Sequence, residues 1–222
     1  MQLRDVFSFF KPHKTVPITP WRAEHRWQLS PSRVAILFFG LAIFGLGDSL
    51  LVQGDVGNAP WTVFSQGLTY KTGLSIGWAT FFISIFVLLI WIPLNEKPGF
   101  GTLSNIVLIA AFIEIGTHIF PKQTSTVAGV IFAIIGIAMV GLGSALYITC
   151  GLGPGPRAGA MTGIHFKSGI RVGRVRMGIE LVVLTIGWLM GGRVGIGTAL
   201  FALLIGQSVA IFLGIVARLT RK

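Results

Sequence analysis

Apolar residues fall in six blocks along this chain, at 34–53, 75–94, 101–120, 125–150, 175–191 and 195–217, parted by short stretches rich in glycine, proline and charge. Each block approaches the ~20 residues a helix needs to cross a hydrocarbon core about 30 Å thick. The pattern predicts six transmembrane helices. Between the first two blocks of each half lies a shorter piece, 60–71 and 156–167, opened by Pro60 and Pro156. Proline suits a first helical position, because the N–H it lacks would be unpaired there. At about 1.5 Å per residue such a helix reaches roughly 18 Å, too short to cross. Both pieces are predicted to be half-helices within the membrane region or at its edge. The second carries Arg157, His165 and Lys167, so full exposure to lipid would be expensive.

The blocks repeat. Shifted by 96 residues, 33–119 lies on 129–215 without a gap, with 24 identities in 87 positions and 9 of 11 glycines meeting a glycine. Chance would supply roughly 1.5 such glycine matches. The chain reads as an internal duplication. Three crossings in each copy place the copies in opposite orientations, a recurrent plan of transporters. The fold expected is therefore all-α, with two inverted three-span repeats, each holding a half-helix. The segments are a basic tail at 1–32, a first repeat at 33–120, and a second repeat with a short basic C-terminus at 121–222.

Composition agrees on the solvent. A hydrophobic fraction of 53%, a charged fraction of 11% and a mean hydropathy of +0.79 leave too few polar groups to coat a soluble globule. Residues 1–32 are extended, basic and aromatic, with Pro12, Pro17, Pro20 and Pro31. That is unlike a secretory signal, and the segment is expected to stay in the mature protein. With the N-terminus inside, fifteen Lys and Arg fall on the inner side, against Lys71, Lys122 and Arg193 outside, as the positive-inside rule requires. The same count would follow if the half-helices crossed fully, so length, not charge, selects six crossings over eight. The net charge of +11 is explained by attraction of the inner boundary to anionic lipid, and no nucleic-acid partner is expected. Cys150 is the single cysteine, which leaves neither an internal disulfide nor a cysteine-based metal site.

The densest chemistry sits in two equivalent loops, Gly54-Asp55-Val56-Gly57-Asn58-Ala59-Pro60-Trp61 and Gly151-Leu152-Gly153-Pro154-Gly155-Pro156-Arg157. Each breaks a helical run with glycine and restarts it at proline, so free N–H groups and a positive helix end face whatever lies in front. Arg157 adds a planar donor fork suited to carboxylate or phosphate. Asn58, Trp61, Gly153, Gly155 and Arg157 are the candidate solute-binding residues. The plainer reading is a tight glycine-proline turn between closely packed helices; its occurrence in both halves favours a site. Asp48 lies inside the first span, without an opposite charge at helical spacing and with Ser144 as its counterpart. Acidic groups so placed mark proton or cation paths. Glu114 with His118, and Glu180 with Arg176, are four residues apart and read as local pairs. Gly40, Gly45 and Gly47, like Gly136, Gly141 and Gly143, allow close helix contact. The six tryptophans lie near span ends or in the tail, where interfacial anchoring accounts for most of them.

Gly45-Leu46-Gly47-Asp48, Gly57-Asn58-Ala59-Pro60-Trp61, Gly151-Leu152-Gly153-Pro154-Gly155-Pro156 and the later Gly-x-Gly-Thr of each half together resemble the YczE/YyaS/YitT group of bacterial membrane proteins over about residues 33–217. The resemblance implies a multi-span protein of the bacterial plasma membrane, and it carries no catalytic or substrate residue onto this chain. The residues themselves point to a small transporter or permease for a small polar, anionic solute, coupled to protons or a cation through Asp48, with both termini cytoplasmic. The rival is a non-transporting membrane factor that modulates a partner complex or envelope process, docking through the basic tail and inner loop. No convincing nucleophile, metal cluster or acid–base pair suggests an enzyme. The expected partners are the lipid bilayer and a small-molecule solute, with a homo-oligomer left open and no cofactor.

Overall fold

The computed structural model describes residues 12 and 15–220. Most of the first fourteen residues, including Arg4, Lys11 and Lys14 of the charge count, lie outside the described residues, as do Arg221 and Lys222. Among the described residues there are nine helices and no strand: α1 Pro31–Gly54, α2 Pro60–Thr72, α3 Ile76–Leu89, α4 Trp91–Leu94, α5 Phe100–Ile119, α6 Thr126–Thr149, α7 Pro156–Ser168, α8 Val172–Leu189 and α9 Ile196–Leu219. Five stretches are long and apolar enough to cross a membrane: α1, Ile76–Leu94 (α3 running into α4), α5, α6 and α9. The remaining predicted span forms α8, whose Arg174, Arg176 and Glu180 keep it out of that group. The two short pieces are helices of 13 residues each. They end at Gly73 (φ 74) and Gly169 (φ 71), left-handed caps 96 positions apart.

The centre is the antiparallel pair α1 and α6, held by a glycine ladder. A β-carbon added to Gly40 would stand 3.1 Å from the Gly143 carbonyl oxygen, one on Gly47 2.8 Å from that of Gly136, and one on Gly54 2.8 Å from that of Gly129. The rungs are seven residues apart on both helices, two turns of helix, so they lie along one stripe. Small residues let the backbones approach where side chains would hold them apart. Gly45 and Gly141 carry the same approach outward, to Phe112 on α5 and to Ser208 on α9.

The loops before the half-helices are anchored crosswise. Gly101 N–H donates to the Leu152 carbonyl at 2.8 Å, and Gly197 N–H to the Val56 carbonyl at 2.8 Å. Each loop of one half thus caps the first turn of a long helix in the other. Gly57 (φ 112) and Gly153 (φ 114) take a conformation costly for other residues. They rest against Thr198 and Thr102, whose hydroxyls accept from the Gly195 and Gly99 N–H groups at 3.3 and 3.1 Å.

Residues 15–30, predicted as part of a tail, form a strap across one end of the bundle. Thr19 Oγ1 donates to the Thr149 carbonyl at 3.1 Å, Trp21 Nε1 to Thr149 Oγ1 at 3.2 Å and Ala23 N–H to the Cys150 carbonyl at 2.9 Å. The Arg26 carbonyl accepts from Phe100 N–H, and its guanidinium bonds the Lys97 carbonyl. At the far end Asp55 pairs with Arg193 at 2.7 Å and Lys122 at 3.3 Å. Trp91 is corrected from a membrane anchor to a core residue. It is 1% exposed, it lies against Gly159, and its Nε1 donates to the Pro156 carbonyl at 2.9 Å, fixing the start of α7.

Candidate functional site at the half-helix starts

Both half-helices begin at one cavity of about 390 Å³, which Ala59, Pro60 and Trp61 line from α2 and Gly155, Pro156 and Arg157 from α7. Proline sets the first helical φ in each, and no side chain caps either helix. The first N–H bonds are Val63 to the Ala59 carbonyl and Gly159 to the Gly155 carbonyl. The N–H groups of Trp61, Thr62, Arg157 and Ala158 therefore remain as donors at two positive helix ends that face the same space. Much of the remaining wall comes in pairs 96 apart: Phe44 with Val140, Ser84 with Glu180, Asn105 with Phe201, and Ile109 with Ile205. Apolar and aromatic surface thus surrounds a few polar groups, the usual make-up of a small-molecule site.

Arg157 holds the centre. Its guanidinium lies 5.0 Å from the Trp61 ring centroid, a cation–π contact that orients the fork while leaving its N–H groups uncommitted. Among the described residues it has no hydrogen-bond or ion-pair partner, although the charges of Asp48 and Glu180 act on it through space. Asp48 does not line the cavity. It is 2% exposed, and the Thr62 hydroxyl meets both carboxylate oxygens at 2.9 Å. A hydroxyl carries one proton, so a buried carboxylate is left with most of its acceptor capacity unused.

Of the residues expected at a site, the structure gathers Trp61, Gly155 and Arg157 and leaves Asn58 and Gly153 outside. Asn58 Nδ2 donates to Gln66 Oε1 at 3.0 Å and its N–H to the Arg193 carbonyl at 3.3 Å, while its buried Oδ1 has no partner. Gly153 serves the loop's seat on α5. Glu180 pairs with Arg176 at 2.8 Å, as its spacing predicts, yet both also line the cavity. Glu114 lies 3.9 Å from His118, but its other oxygen accepts from Gly77 N–H at 2.9 Å. Sequence reasoning missed Tyr147, Asn105, Ser84 and Ser144. The 96-residue offset was a usable signal for Ser84 and Ser144, the counterparts of Glu180 and Asp48; nothing local marks Tyr147. Among the described residues no three His, Cys, Asp or Glu side chains come together as metal ligands would.

Residues 31–214 match a family model described as a family of unknown function (DUF6198). The chain is similar to an uncharacterized protein of Haemophilus influenzae, at 45% identity over 94% of this chain and 96% of that protein. It is also similar to two Bacillus subtilis proteins. One is the uncharacterized membrane protein YczE, at 36% over 78% and 82%; the other is the uncharacterized protein YyaS, at 29% over 81% and 91%. No solved structure matches. Helices long and apolar enough to cross a bilayer, together with this likeness along most of its length, place the chain among membrane proteins, and it belongs to the DUF6198 family and is a relative of YczE.

Proposed function

We propose that this protein is a small transporter of the bacterial plasma membrane that binds a small anionic solute between its half-helix starts. The observation that carries the reading is Arg157: a guanidinium without a hydrogen-bond partner among the described residues, set between two uncapped helix N-termini that open on one cavity. Helix ends of this kind receive the anionic group of substrates in transporters built from broken helices. A carboxylate or phosphate seated there gains charge-assisted hydrogen bonds from the fork and from N–H groups that need no rearrangement.

The architecture that supports this is six spans in two inverted repeats. The crosswise seats of Val56 and Leu152, the ladder of Gly40, Gly47, Gly136 and Gly143, and the contact of Trp61 with Arg157 all join residues related by 96 positions or exchange them in pairs. Residues that touch their own counterparts lie on the axis relating the copies, and a solute held between them would sit at the middle of the molecule. α8 is the sixth span: its 18 residues extend about 27 Å, with Arg174 and Arg176 at the strap end. That end also holds Arg22, Arg26, Lys97, Lys167 and Arg171, and is cytoplasmic by the positive-inside rule. Against the rival reading as a docking factor, Thr19, Trp21, Ala23 and Arg26 of the strap bond the protein's own loops.

The test is thermal stabilisation of the purified protein by a library of small carboxylates, phosphates and neutral or cationic metabolites. Stabilisation by a few anions, lost in Arg157→Gln, is the expected result. No selective ligand, or one that binds the Gln variant equally well, would overturn the anion-transporter reading.

A further inference from the structure

The two hairpins flanking the cavity are built from equivalent residues and pack differently. In the first, α3 lies closed on α5: a β-carbon added to Gly77 would stand 2.8 Å from the Ala110 carbonyl oxygen, and Gly77 N–H is held by Glu114. Their counterparts are Gly173 on α8 and Gly206 and Ala210 on α9. A β-carbon added to Gly173 or Gly206 meets nothing within 4 Å. α8 packs on α2 and α7, and α9 on α6, rather than on each other. This hairpin is joined at the far end and splayed at the strap end, where Arg176, Glu180 and Gly206 line the gap into the cavity.

The cavity wall follows the same division at four positions, although Phe44, Ser84, Asn105 and Ile109 of the closed half line it as well. The cavity reaches Ser144, Arg176, Gly206 and Val209. Their counterparts Asp48, Thr80, Ala110 and Ile113 are sealed, at 2%, 2%, 5% and 0% exposed. The small residues that would close the splayed hairpin are already in place, since Gly173, Gly206 and Ala210 offer α8 and α9 the kind of close contact Gly77 makes on α5.

Resting on the transporter reading above, we propose that this is the state open at the strap end and that the chain holds a second, mirror-related site in an exchanged state. In that state α8 closes on α9 through Gly173, Gly206 and Ala210. α3 opens from α5 as Gly77 leaves Glu114, and Asp48 becomes the acidic wall of a cavity open at the far end, a site for a proton or monovalent cation. Thr62 of α2 and the charge of Arg157 on α7 face Asp48 in the closed state and remain its neighbours in the exchanged one. Rocking of inverted halves about a fixed site delivers such an exchange.

Cross-linking in oriented vesicles tests it. In a Cys150→Ala background, Gly173→Cys with Ala210→Cys is expected to form a disulfide under oxidant, trapping the exchanged state. A third substitution, Ala110→Cys, reports access to an impermeant maleimide added at the far face. A resting minor state of ~10% or less predicts a rise in labelling of about tenfold or more once the link is made. Failure of the pair to link, or an Ala110→Cys that stays unreactive after linkage, would overturn the proposal. Should the triple variant not fold, spin labels on the exposed Arg174 and Gln207 give the same answer: two separations across the α8–α9 gap support the exchange, and one open separation overturns it. Exchange without any solute response would remove the transporter reading and leave the second site standing. Solute uptake without exchange would remove this inference alone.

Discussion

At the start of α2 the residue after proline is Trp61, and Thr62 beside it holds the buried Asp48; at the start of α7 the same places carry Arg157 and Ala158, with Ser144 where Asp48 would stand. The backbones agree: uncapped first turns, the same left-handed glycine three residues before each proline, the same seat on the opposite half. The side chains differ at the positions nearest the axis. Two sets of helix-end donors face one space, with a cation on one, a ring beneath it on the other, and an acid behind the ring. Equivalent residues build the backbone seats, and differing ones set the charges at and behind the cavity.

The comparison can be broken at four points. Asp48→Asn keeps shape and removes charge, so folding should survive while the dependence of uptake on a proton or cation gradient disappears. Normal coupled uptake in reconstituted vesicles would reduce Asp48 to a structural group. Next in size is the scaffold. Gly57→Ala and Gly153→Ala each force a side chain onto positive φ and into a threonine hydroxyl 2.8 Å away, costing about 1–3 kcal/mol in strain with overlap added. Both should lower the melting temperature in detergent by similar amounts. A large drop in one with none in the other would break the equivalence of the seats.

At the site, Arg157→Gln should weaken an anionic ligand about 10- to 100-fold, the loss of a charged hydrogen-bond donor. Arg157→Lys should fall between, because it keeps charge and loses the fork. Melting temperature should stay nearly constant, and equilibrium binding measures the series. If Lys binds like Arg, charge alone matters there. The smallest effect separates the two threonines. Thr102 accepts from Gly99 N–H and donates to the Pro154 carbonyl at 2.7 Å, whereas Thr198 only accepts from Gly195. At about 1 kcal/mol per hydrogen bond, Thr102→Val should destabilise more than Thr198→Val in thermal unfolding. The reverse order would show that Pro154 is held by something else.

Much of this was legible in the chain. The apolar blocks, the prolines and the glycine repeat gave both half-helices within a residue or two of their ends, because proline, glycine caps and apolar length act locally. Trp91 was misread since tryptophan at a span end serves equally to anchor in lipid or to fill a gap beside Gly159, and only the neighbour decides. Glu180 was read as half of a local pair; the pair is real, but both its members also line the cavity, which the spacing of four residues does not show. Asn58 looked like part of a binding loop, and the fold turns its amide to Gln66 instead.

Sequence alone therefore determined a helical membrane protein, its breaks, and the loops that carry free donors, since hydrophobic length and backbone conformation are properties of short segments. Tertiary structure decided that the two half-helix starts face one cavity, that Arg157 lies over Trp61, and that one hairpin is shut while its copy stands open. Those outcomes rest on contacts between residues far apart in the chain, the glycine ladder of α1 and α6 among them, and no local pattern encodes which helix a given face will meet.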